Sequence, residues 1–149
     1  MKTCKITIII VLTLSMFACS SYESANVDSA EKGIAADSHN LDIELNAGEK
    51  WKVNEQMMPF IKSSEKQLKD YQKDANRDYK SLAAELKDKN SKLIASCTMS
   101  GEAHDALHVW LVPHLDLVGE LEESQTVEDS FAVIERLNHS FKAFDNYFQ

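Results

Sequence analysis

Residues 126–148 read TVEDSFAVIERLNHSFKAFDNYF. Val127, Phe131, Ile134, Leu137, Phe141, Phe144 and Phe148 recur every three or four positions, which places them on one face of an α-helix with the charged residues opposite. Thr126 and Asp129 form a capping box, with Asp in the usual place of Glu or Gln, so the spacing predicts a helix that starts after Thr126. Aromatic side chains at this spacing read as the seam of a packed core, not as a cofactor box. A single helix cannot bury such a face alone and needs partners.

The partners lie upstream. Ala103, Leu107, Trp110, His114, Leu117 and Leu121 keep helical spacing, and Pro113 among them is predicted to free the Val109 carbonyl and kink the helix. Before them, Tyr79, Leu82, Leu86, Leu93 and Cys97 share a face, with Ala83 and Ile94 alongside and Gly101 as the expected C-cap residue. The first segment places Met57, Ile61, Ser64, Leu68, Tyr71 and Ala75 together. Asn54 is its expected N-cap, and Pro59 is tolerated near the first turn. Residues 41–48, LDIELNAG, alternate instead and allow an extended lead-in or one short strand. Four amphipathic segments of about five to six turns with short connections predict an all-α, up-down-up-down four-helix bundle over residues 41–149. With only 4 Gly and 2 Pro, the chain offers little for a turn-rich β-sandwich or a glycine-rich phosphate loop.

Residues 20–40, SSYESANVDSAEKGIAADSHN, are small, polar and acidic. They carry too little apolar surface to offset ordering entropy, so they predict a flexible tether of about 25 Å root-mean-square reach. Residues 1–19 are MKTCKITIIIVLTLSMFAC, with Lys2 and Lys5 ahead of an apolar run from Ile6 to Ala18. That run has the length of a signal-peptide core and falls short of the ~20 residues of a membrane span. Its ending, Phe17-Ala18-Cys19, resembles the bacterial lipoprotein signal. The resemblance implies cleavage before Cys19, diacylation of Cys19 and anchoring to a membrane through that residue. Ser20, where Asp would signal inner-membrane retention, implies an outer-membrane lipoprotein facing the periplasm. An ordinary cleaved signal with a chance cysteine is the alternative.

The 149 residues include 16 Lys+Arg and 24 Asp+Glu, for a formal charge of −8. Without Lys2 and Lys5 the charge becomes −10, which opposes nucleic-acid binding and electrostatic docking on anionic lipid. Cys4 would leave with the signal and Cys19 would carry lipid, so Cys97 is the one thiol of the mature domain and has no intrachain partner.

The chemistry-bearing stretch is residues 97–108, CTMSGEAHDALH, continuing to His114. In an up-down bundle the start of the first helix, the end of the second and the start of the third share one end. Cys97, Met99, His104 and His108 are therefore expected together there, with Met57, Met58 and His114 as less central members. Thiol, thioether and imidazole suit Cu(I), and imidazole with thiolate also suits Zn. His104 and His108 stand at i and i+4, so their rings project from one face. Ordinary packing is the competing reading, since Met and Cys on a core stripe are routine. His114 reads as a core-edge histidine bonded to a carbonyl, with the one Pro113 frees as a candidate, while His39 and His139 read as solvated.

His104-Asp-Ala-Leu-His108 is similar to the zinc-protease helix motif with Asp replacing the Glu base, but the sheet of that family is not supplied. Haemerythrin-like and ferritin-like bundles need ligand pairs on more helices than this sequence carries. Met57 or Met58 with His104 or His108 leaves room for a b-type haem. No nucleophile elbow is present. The block from Cys97 to His114, including Trp110-Leu111, and the stretch from Gly48-Glu-Lys-Trp51 to Met58 resemble a group of small bacterial envelope proteins; the resemblance implies no particular activity. The expected function is non-catalytic: a lipid-anchored periplasmic protein that sequesters or delivers a soft metal ion, copper before zinc. The alternatives are a metal-free interaction or scaffold lipoprotein that docks on an unidentified envelope protein, and a b-type haem protein.

Overall fold

The computed structural model describes residues 42–149, so the signal, Cys19 and the tether lie outside the described residues. Four helices follow in order: α1 (Met58–Lys73), α2 (Tyr79–Ala95), α3 (Glu102–Glu123) and α4 (Val127–Tyr147). Each packs on its neighbour in sequence and α4 closes back on α1. The up-down-up-down order is visible in the bonds that cross between helix ends. The Asn54 amide, just before α1, donates to the Ser96 carbonyl at the end of α2. Lys80 at the start of α2 donates to the Ser124 carbonyl at the end of α3. Lys62 near the start of α1 pairs with Asp145 near the end of α4 at 2.7 Å. The expected all-α four-helix bundle is the fold.

The core is what the spacing predicts at most positions. Met57, Leu86, Leu107, Trp110, Leu137 and Phe144 are almost completely buried, and Ser64 fills its place on the α1 stripe. Helices α1 and α2 are shorter than expected, with 16 and 17 residues, while α3 and α4 have 22 and 21. Ala75 lies beyond the end of α1 and is exposed. Ile94, Val127 and Phe131 also differ from the expected core by standing exposed. Val127 and Phe131 belong to the first turns of α4, and Phe131 carries the Arg77 guanidinium over its ring.

Thr126 Oγ1 accepts the Asp129 N–H, as the capping box requires. Asn54 does not cap α1, whose N-cap is Met57. Its side chain instead donates to Ser96 and accepts from the Thr98 N–H, tying the start of α1 to the α2–α3 connection. Gly101 is the N-cap of α3, not the end of α2, with φ 70 and ψ −161. Its carbonyl accepts from His104 and Asp105 N–H. Helix α2 stops five residues earlier than the expected Gly101 end would have it, because Ser96 takes the C-cap place and its hydroxyl bonds the Leu93 carbonyl. Pro113 sits inside an α3 that continues on both sides of it.

Among the described residues, the lead-in is extended but forms no strand of its own. Asn46 and Glu49 exchange two backbone hydrogen bonds across a turn whose central residues, Ala47 and Gly48, both have positive φ, the geometry of a primed turn. Trp51 then bridges to Phe148 in parallel register: its N–H donates to Tyr147 O, and its carbonyl accepts from Gln149 N–H. This closes the backbone of residues 51–53 over the end of α4 and covers Phe148, which stacks on Phe144 at 5.1 Å.

Candidate functional site

The expected metal-binding residues divide into three groups once placed on the fold. Met57 is fully buried in the core, and His114 is fully buried on α3, so neither faces a site at the surface. Met58, Cys97 and Met99 are half-buried and pack against the core. His104 is half-buried and His108 exposed in the first turns of α3. Their rings meet edge to face with centroids 4.4 Å apart, so the i,i+4 spacing does bring the two imidazoles together. The Asn54 bonds to the α2–α3 connection bring the Met57-Met58 dipeptide to the same end of the bundle as Cys97 and Met99. Cys97 itself is in the connection after α2, not on the helix, and it is a free thiol. Among the described residues no group of three or more Cys, His, Asp or Glu side chains converges as a metal-binding set. Cys97, His104 and His108 therefore do not make one site by themselves. A set built on the two histidines needs thioether sulfur to complete it, a donor combination that suits a soft ion and leaves Zn short of its usual tetrahedral nitrogen and thiolate ligands.

His114 has a different partner from the expected carbonyl. Its Nδ1 lies 3.0 Å from the Ser140 hydroxyl, and no described residue pairs with its buried Nε2. Carrying the proton on Nδ1 lets the ring donate to Ser140 and leaves only a lone pair at Nε2. Trp110 stacks on the ring at 4.9 Å, Phe141 meets it edge-on at 4.8 Å, and Trp110 Nε1 donates 2.8 Å to the Ser140 carbonyl. Burial in these aromatic surroundings removes water from the imidazolium and lowers the pKa of His114 from 6.5 to about 4. His114 is thus a neutral core residue that locks α3 to α4. His139 is exposed, as expected.

Two features escaped the sequence. A polar cleft of about 600 Å³ opens between α1 and α2, lined by Lys66, Asp70, Tyr71, Asp74, Asp78 and Glu85 among others. It lies between two helices and takes residues from both, which no periodicity along either one records. A smaller groove of about 240 Å³ lies between α2 and α3, with Asn90, Ile94, Leu115, Val118 and Gly119 in its lining. Its signal was present as an Asn on the buried side of α2 and a Gly within α3. The stripe reading passed over both.

The fold and its donor-bearing end define an all-α four-helix bundle with a histidine pair at the end where α1 begins and α2 passes to α3. Comparison of the chain with protein families, curated proteins and solved structures found no match. Among the described residues, no helix is long and apolar enough to cross a membrane.

Proposed function

We propose that the chain is a lipid-anchored envelope protein, attached through Cys19, that acts by binding and carries out no catalytic step, and that its ligand is a soft metal ion held by His104 and His108. Its working place is the periplasmic side of the outer membrane, with residues 20–40 as the tether. The observation that supports the metal reading best is the 4.4 Å approach of the two imidazoles at the end that also holds the thioethers of Met58 and Met99. Two imidazoles and a thioether favour Cu(I) over Zn, and the role is sequestration or delivery. Cys97 drops from the primary ligand set in this reading, because it does not converge with both histidines.

The metal-free scaffold reading also has an observation in its favour. Val109 and Val112 on the outer side of α3 are exposed, an apolar surface that a protein partner would cover. Titration of the purified protein with Cu(I) under reducing conditions, against a competing chromophoric chelator, separates the two. Affinity tighter than micromolar supports the metal reading. Affinity no tighter than micromolar removes it and leaves the scaffold reading in place. A Soret band in the purified protein would instead favour the haem alternative.

A further inference from the structure

His114 stands near the middle of α3 with no exposed surface, enclosed by three side chains. Trp110 covers one face at 4.9 Å, Phe141 meets it edge-on at 4.8 Å, and the Ser140 hydroxyl lies 3.0 Å from Nδ1. Nε2 has no partner among the described residues. The neutral ring tolerates this, because with the proton on Nδ1 the orphan atom is only a lone pair. A second proton changes the balance. Nε2 becomes a buried donor without an acceptor, and the ring becomes a buried cation.

Among the described residues nothing nearby offsets that charge. Ser140 and Phe141 face the ring from α4 and Trp110 from its own helix, and none of them is titratable at these pH values. No Asp, Glu, Lys or Arg is buried on any of the four helices or in the lead-in, so far as the described residues extend. The other buried titratable group, Tyr71, sits in the last turn of α1 and bonds the Arg77 carbonyl. Burial is accordingly what lowers the His114 pKa. The Trp110 face returns less to a cation than its removal from water costs.

Two features beside the ring set how it can escape. Pro113 has no N–H, so the Val109 carbonyl lacks its intrahelical donor and α3 is weakened in that turn. The Trp110 indole donates 2.8 Å to the Ser140 carbonyl, so the bonds that Trp110 and His114 make to α4 end on one residue. His114 is fixed to α3 by its backbone, and its ring reaches water only when the two helices part at Ser140.

We propose that Trp110, His114 and Ser140 form an acid-released latch: proton uptake by His114 opens the α3–α4 seam at the Pro113 turn while α1 and α2 stay folded. The proposal is independent of the metal reading, and it assigns the effect of acid to one seam instead of to the fold as a whole. With the ring titrating near pH 6.5 when open and at about 4 when closed, the open-to-closed ratio rises about 70-fold between pH 7.5 and pH 4.5.

Deuterium exchange of the Trp110 indole N–H reads that ratio, followed by NMR on the full chain in a non-ionic detergent and normalised to free indole at each pH. Its protection should fall about 70-fold over this range and stay below that of the Leu86 amide, in the buried stripe of α2. In His114→Gln, which does not titrate, most of the fall should vanish. Ser140→Ala keeps the titrating ring and removes its hydroxyl partner, so its indole should be less protected than the wild type at pH 7.5 and still respond to acid. An indole as protected as the Leu86 amide at pH 4.5 would mean that the seam opens only when the whole fold does. That result, a wild-type indole indifferent to pH, an equal fall in His114→Gln, or a Ser140→Ala indole as protected as the wild type would each overturn the proposal.

Discussion

His114 carries a consequence that reaches beyond its own packing. The unfolded chain binds a proton on this imidazole near pH 6.5, whereas the folded chain resists it until about pH 4. Above pH 6.5 the ring is neutral in both states and contributes no pH dependence. As pH falls below 6.5 the unfolded state gains protons first, so stability drops until about pH 4 and then levels off as far as this residue is concerned. By pH 5 the loss amounts to about 2 kcal/mol. Urea unfolding at pH 7.5 and pH 5 measures it directly. His114→Gln, which keeps a donor for Ser140 and does not titrate, is expected to lose most of that pH dependence while being less stable than the wild type at pH 7.5. An unchanged pH dependence in the variant would mean that His114 is not buried neutral. The sequence placed His114 on the core stripe correctly but gave it the wrong partner. The Ser140 hydroxyl lies 26 positions away on α4, and only the packing of α3 on α4 brings it within reach.

At the scale of elements, local signals were legible where the chain satisfies them locally. The Thr126 cap bonds a residue three positions ahead, and the sequence contains everything that bond needs. Thr126→Ala is expected to lower stability by ~1 kcal/mol, read as a fall in the urea midpoint with no change in slope. Asn54 and Gly101 were misread for the opposite reason. Asn54 has the chemistry of an N-cap, but the α2–α3 connection lies against it and uses both ends of its amide. Gly101 has the conformational freedom of a C-cap residue and spends it opening the next helix instead, with positive φ at the N-cap. Gly119 gives a second test at this scale. Open space around it means that Gly119→Ala should raise the stability of the monomer by up to about 1 kcal/mol through helix propensity alone. A fall in the thermal midpoint measured at low protein concentration would show that the space is not open.

For the whole molecule, the helix order and the shared end of α1, α2 and α3 followed from four amphipathic stripes joined by short connections. The fold was therefore readable before any contact was known. The donor-bearing end was readable only in part. The pairing of His104 with His108 is a property of one helix and follows from i,i+4 spacing. Whether Cys97 joins them depends on where α2 stops, and Ser96 ends it just before Cys97. The grooves beside α2 were not readable, because they arise from the spacing between helices and not from the pattern along any one of them. The central claim is that the two histidines, and not the lone thiol, hold a soft ion. Its most direct test is the Cu(I) affinity of His104→Ala/His108→Ala set beside that of Cys97→Ser, both measured by chelator competition on the intact protein. The double histidine variant is expected to lose high-affinity binding, and Cys97→Ser to keep it. Loss of binding in Cys97→Ser with retention in the histidine variant would contradict it.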